Sequence, residues 1–180
     1  MKKLKKFNKE LSSIKYGWYD KEGKLHESLR EGNFVKNYRM QSVNEVMNNT
    51  NSICWDLCEV EREFFKKTVY PFVTIFAVLK TQKKKPCHTF LVFKDNDCFY
   101  WFEASWNKMK GIRKYSNFDD ILDDVRNNFY EFTKSKDYDK NEIEFYVYKK
   151  PINRISCNMF YFHCMYLGKK ISSNYNRLFK

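Results

Sequence analysis

The sequence is short of the residues that interrupt regular structure. Five glycines and three prolines in 180 residues exclude a collagen-like repeat or a low-complexity chain. It also lacks a long apolar run. The longest uncharged stretches, Thr68–Leu79 and Ile155–Gly168, fall short of the roughly 18 residues needed to span a membrane as a helix. No apolar segment follows the basic start Met1-Lys2-Lys3-Leu4-Lys5-Lys6, so that start does not read as a secretory leader. There is no Cys-x-x-Cys pair, the spacing that structural zinc sites favour.

What is present suits one folded domain. Apolar residues make up 43% of the chain and aromatics 19%, enough to bury a core and to argue against disorder. The net charge is +12, which invites a nucleic-acid or anionic-surface reading. That excess is spread along the chain rather than gathered in one block, as compositional bias toward Lys, Asn, Tyr, Phe and Ile would produce. Six cysteines occur, at 54, 58, 87, 98, 157 and 164. An even count without a leader, in a chain long enough to need no staples, points to free thiols in a reducing, cytoplasmic setting.

Periodicity places the elements. Lys15–Tyr19 reads as a strand and Asp20–Lys24 as a turn. Ser42-Val43-Asn44-Glu45 is a capping box, so a short helix begins there and ends near Asn48-Asn49. Asn51 or Ser52 is a cap for a second helix over Ile53–Lys67, acidic at its start and basic at its end as the helix dipole favours. Val69–Leu79, His88–Phe93, Cys98–Glu103 and Glu142–Tyr148 have the composition of strands. Ser116 caps a helix whose stripe runs Phe118, Ile121, Leu122, Val125, Phe129 and Phe132. Asn158–Leu167 reads as a last helix. The order predicts an α+β fold with an antiparallel sheet.

Three residues carry chemistry. Cys54 falls in the first turn of its helix, where unpaired amides and the dipole favour a thiolate. His88 and Glu103 lie on the two arms of a hairpin. With the turn centred between Asp95 and Asn96, Phe93 faces Cys98, Leu91 faces Tyr100, Thr89 faces Phe102 and His88 faces Glu103. Directly opposite residues share a face with Cβ atoms roughly 4.5–5.5 Å apart. A carboxylate there orients the imidazole and leaves its other nitrogen for a thiol.

These motifs carry a family resemblance. Cys54-Trp55-Asp56 at a helix start, His88-Thr89-Phe90 opening a strand and Trp101-Phe102-Glu103 closing the next resemble the transglutaminase-like branch of the papain-like cysteine fold. From about Tyr16 to Phe129 the chain also resembles a bacterial and phage group of such proteins, through Tyr16-Gly17-Trp18, Glu61-Arg62 and Tyr100-Trp101 besides. The resemblance implies a Cys54–His88–Glu103 triad that forms a thioester, with a protein or peptide substrate and hydrolysis, deamidation or transfer as outcomes. Glu103 stands where Asp is usual in the family, and Ser52 where a Gly is common. The Cys54 amide is a candidate oxyanion donor, with Gln41 as its side-chain partner and Trp106 or Asn51 as alternatives. Trp55 and Trp106 are the candidate substrate contacts.

The resemblance implies a single domain over 1–180: a covering segment over 1–50, a catalytic core over 51–135, and a C-terminal strand and helix over 136–180. Neither a metal nor an organic cofactor is implied. The alternative is an inactive module of the same fold that binds acidic partners or nucleic acid, with Lys83-Lys84-Lys85 tracking phosphates.

Overall fold

The computed structural model describes residues 1–82, 85–133, 137–171 and 178–179. Lys83 and Lys84 of the lysine run lie outside the described residues. The chain opens with α1 (Lys2–Ser12), then β1 (Lys15–Tyr16), β2 (Trp18–Tyr19), β3 (Leu25–His26), α2 (Phe34–Asn37), α3 (Val43–Asn48) and β4 (Asn51–Ser52). α4 (Cys54–Phe65) leads into β5 (Phe72–Leu79), β6 (Cys87–Asp95), β7 (Cys98–Glu103) and β8 (Gly111–Tyr115). α5 (Phe118–Asn128), α6 (Tyr130–Thr133), β9 (Ile143–Val147), α7 (Cys157–Phe162) and β10 (Lys169–Lys170) complete it.

The fold is mixed α+β around an antiparallel sheet of order β10-β9-β5-β6-β7-β8. β5 lies inside the sheet, and its run of Val, Ile, Phe, Ala and Leu is buried because both faces are covered. Side chains alternate along each strand, so the two faces build two cores. Val73, Ile75, Ala77, Phe90, Val92 and Trp101 pack with the α5 stripe Phe118, Ile121, Leu122 and Val125. Leu91, Phe93 and Phe102 pack instead with Leu57, Val60 and Phe65 of α4 and with Leu4, Phe7 and Leu11 of α1. A third cluster joins Trp18, Tyr38 and Trp55 to Phe76, Val78 and Phe160.

Several sequence expectations hold. The Ser42–Glu45 capping box is formed on both sides, and β5, β6, β7, β9 and the α5 stripe stand where periodicity put them, whereas Lys15–Tyr19, expected as one strand, is split into β1 and β2 of separate sheets, and β8 was not expected. Others are corrected. Asn51 and Ser52 do not cap α4. They form β4, paired in parallel with Lys15 and Tyr16, and Ile53 holds the cap position. Asn117, not Ser116, precedes α5, and the helix expected through Phe132 breaks into α5 and α6. Sequence reading also missed α1, because its lysines outnumber its apolar residues. Only a narrow stripe of Leu4, Phe7, Asn8 and Leu11 is buried.

The hairpin register is the main correction. Asp95 pairs with Cys98, so Asn96 and Asp97 form a two-residue turn, one residue later than expected. Asn96 takes the left-handed conformation this turn needs, at φ 52°, which Asn tolerates better than most residues. Every pair therefore shifts by two: Phe93 faces Tyr100 and Leu91 faces Phe102. A two-residue shift preserves the side-chain face. His88 and Glu103 remain on one face, but as diagonal rather than direct neighbours.

Leu11 joins α1 to the sheet and is fully buried. Leu11→Ala is expected to lower unfolding free energy by about 2–5 kcal/mol, read by chemical denaturation. An unchanged midpoint would show that α1 is not part of the cooperative core.

Candidate active site

α4 presents Cys54 at its first helical position, where the backbone N–H has no acceptor within the helix. The thiol is partly exposed. His88 comes from the start of β6 and Glu103 from the end of β7. The β6–β7 ladder stops at Leu91 and Phe102, short of both residues. The strands thus part where the two side chains meet.

His88 Nε2 donates to Glu103 Oε2 at 2.7 Å, and the pair is almost wholly buried, 1% and 2% exposed. The other carboxylate oxygen, Oε1, accepts from the Ser105 amide at 2.8 Å, the Ser105 hydroxyl at 2.9 Å and the Trp106 amide at 2.8 Å. Burial works against charge on Glu103, yet His88 and these donors outweigh it and hold the carboxyl below its ordinary range. Burial also opposes charge on His88. Glu103 and the Cys54 thiol outweigh it there and raise the imidazole well above its ordinary value. The charged pair therefore stabilises the fold at neutral pH. Its contribution fades as acid protonates Glu103, and again as alkali strips His88.

The second ring nitrogen, Nδ1, is buried and makes no strict hydrogen bond among the described residues. The Cys54 thiol acts on the imidazole: it is among the causes that raise His88. Aromatic rings fix the imidazole plane. Phe132 stacks on it at 5.0 Å, and Trp106 meets it edge-on at 5.1 Å. One imidazole nitrogen is thus committed to the carboxylate, and the other has no hydrogen-bond partner among the described residues. Burial raises the thiols of Cys58, Cys87, Cys157 and Cys164 and keeps them protonated.

The other candidates have different work. Gln41 Nε2 reaches Asn51 O at 3.3 Å and Asp56 Oδ2 at 3.4 Å, so its amide protons are spent inside the protein. Asn51 Nδ2 donates to Tyr16 O at 3.1 Å. Trp106 Nε1 donates to Glu131 at 2.7 Å. Trp55 is buried among Tyr38, Phe34, Phe160 and Tyr161 and is a core residue rather than a substrate contact. Ser52 is buried, with its hydroxyl 3.4 Å from Asp56, so it does not line the approach to Cys54.

Asp56 is the hub at the start of the helix that carries Cys54. It accepts from Tyr38 Oη at 2.6 Å and Gln41 N at 2.9 Å, with longer contacts from Ser52 Oγ and Ile53 N. It thus ties the helix start to the 38–41 segment, as a support and not a reacting group. Complete burial raises its carboxyl to about 6 against these hydrogen bonds.

Sequence reading named two further residues near Cys54, His88 and Glu103 only as parts of motifs and gave them no role. Tyr16 is fixed by β1–β4 pairing two residues ahead of Cys54, and Cys54, Cys87 and Asp56 all act on its hydroxyl. Glu61 lies seven residues after Cys54, on the same helix face. It is buried, and its Oε2 has no partner among the described residues. Burial first, then the charge of Glu103, pushes its carboxyl well up, with His88 opposing. The i, i+7 spacing could have drawn attention to it.

Among the described residues no group of three or more His, Cys, Asp or Glu side chains is arranged to hold a metal, and no helix is long and apolar enough to cross a membrane. Comparison with models of known families, with curated proteins and with solved structures returns no match.

Three substitutions test this arrangement. Asp56→Ala strands Tyr38 Oη and the Gln41 amide and is expected to cost about 2–4 kcal/mol in chemical denaturation. Asp56→Asn keeps an acceptor and is expected to cost less, so equal losses would refute the hub. Glu61 binds its proton more tightly folded than unfolded, so its contribution to stability is full at acid pH and declines as pH rises. Relative to wild type, Glu61→Gln is expected to gain stability from pH 4 to 8, by up to about 1.4 kcal/mol per pH unit. A stability difference that is flat across that range would show that Glu61 is not held protonated.

Proposed function

We propose that this chain is a cysteine-dependent acyl-transfer enzyme with a transglutaminase-like, papain-like core. One observation carries the reading: His88 is gripped through Nε2 by a buried, fully donor-satisfied Glu103 while Nδ1 is left to the Cys54 thiol at a helix N-terminus. A buried structural ion pair would not need an unpartnered nitrogen directed at a partly exposed thiol.

In this reading Cys54 Sγ attacks an amide carbonyl as its proton passes to His88. Glu103 stabilises the imidazolium that results and holds the ring in place. The carbonyl oxygen becomes an oxyanion, and the Cys54 backbone N–H is positioned to donate to it. Collapse breaks the C–N bond, and His88 returns the proton to the departing amine. Water or a second amine then resolves the thioester, giving hydrolysis, deamidation or transfer on a protein or peptide substrate. The chemistry needs a reduced thiol, and all six cysteines are unpaired. A reducing, cytoplasmic compartment suits both.

The test is pH-dependent alkylation by iodoacetamide, resolved for each cysteine by peptide mass spectrometry. Cys54 is expected to react fastest of the six and well below pH 8. His88→Ala is expected to slow it by about 100-fold or more. Removing His88 also leaves Glu103 buried and unpaired, at about 3–5 kcal/mol. Glu103→Gln, which preserves shape, is therefore run beside it and is expected to slow Cys54 as well. A Cys54 that reacts no faster than Cys98 in all three folded proteins would overturn the proposal.

A further inference from the structure

An oxyanion site built only from the Cys54 amide is half a site, and most of the candidate side-chain donors are already committed. Gln41, Asn51 and Trp106 have spent their N–H groups on protein acceptors. Tyr161 Oη lies 2.7 Å from Lys85 O and 3.0 Å from Cys87 Sγ. The Trp55 indole is engaged with the Cys87 thiol. Tyr16 differs: its hydroxyl makes no hydrogen bond to the described residues, and 46% of the residue is exposed.

The backbone of Tyr16 is held on three sides. Lys15 N donates to Thr50 O at 2.9 Å, Gly17 N donates to Ser52 O at 3.2 Å, and Asn51 Nδ2 donates to Tyr16 O at 3.1 Å. Gly17 permits this closeness, since a Cβ there would stand 2.9 Å from Asn51 Nδ2 and 3.0 Å from His26 O. The strand pairing sets Tyr16 beside Ser52, two residues before Cys54.

The geometry points to Tyr16 as the side-chain donor of the oxyanion site, its hydroxyl completing with the Cys54 amide a two-donor cradle for the carbonyl oxygen under attack. This rests on the acyl-transfer reading above. Its chemistry fits: partial burial, then the Cys54 and Cys87 thiols and Asp56, keep the phenol protonated and hence a donor. The open flank of the ring leaves room for a carbonyl to arrive. An oxyanion donor helps only when negative charge develops on oxygen, and this separates it from a residue that merely supports Cys54.

Two thiol reagents make that separation. With p-nitrophenyl acetate, the C–S bond forms through a tetrahedral oxyanion, the thiol proton passes to His88 and p-nitrophenolate departs. With iodoacetamide, sulfur displaces iodide at a saturated carbon and no oxyanion forms. Tyr16→Phe removes one oxygen atom and leaves the ring. We expect Tyr16→Phe to slow Cys54 acylation by p-nitrophenyl acetate about 100-fold, within a range of roughly 10- to 1,000-fold, with alkylation by iodoacetamide within twofold of wild type. If both rates are unchanged, or both fall together, Tyr16 is not the donor while the nucleophile assignment stands. A wild-type Cys54 inert to both reagents overturns the acyl-transfer reading, and this inference with it.

Discussion

A charged pair in the middle of a protein is costly, and here the cost shapes the surroundings. Removing a carboxylate and an imidazolium from water loses several kcal/mol for each ion, and their mutual attraction restores it only if the remaining lone pairs are satisfied. Glu103 meets that condition with four donors on two oxygens. Three come from Ser105 and Trp106, so the chain must turn tightly after β7 to bring them round. Asn8 Nδ2, from α1, donates to the Glu103 carbonyl at 2.8 Å and ties the N-terminal helix to the same corner. The aromatic rings around His88 exclude water, which strengthens the pair and fixes the plane of the imidazole.

α4 is anchored at both ends by buried polar groups, which is why its first residue is held firmly. At the start, Asp56 gathers Tyr38 and Gln41. Toward the end, Arg62 grips Glu59 at 2.9 Å, reaches the Tyr148 carbonyl and lies over the Tyr148 ring. The helix is therefore tied to the 38–41 segment at one end and to the end of β9 at the other, with its apolar face on the sheet between. A cysteine mounted this way changes position little, and its amide keeps pointing out of the first turn.

Much of this was legible in the residues. The capping box at Ser42, the α5 stripe and the strands each follow from spacing over a few positions. The same-face relation of His88 and Glu103 also survived an error in register, because the error was of two residues and the strand period is two. The error had a local cause: a turn centred at Asp95-Asn96 differs by one residue from the one at Asn96-Asp97, and only the left-handed Asn96 separates them. α1 was hidden because helix-face burial depends on what lies opposite, and its lysines mask a narrow buried stripe.

The sequence by itself determined the residue types, their order and the elements that carry them: a thiol at a helix start, and an imidazole and a carboxylate on adjoining strands. Those are consequences of short-range periodicity and capping. The tertiary structure alone decided which donors are free. Gln41, Asn51, Trp55 and Trp106 resemble candidate donors or contacts when read singly, yet each is committed to a partner or packed away by distant parts of the chain. Tyr16, which the sequence marks only as part of a motif, is held by strand pairing beside Ser52, and its hydroxyl has no partner among the described residues. Hydrogen-bond commitment is a property of pairs brought together across the fold, where an unpaired buried polar group is penalised. No local pattern encodes it.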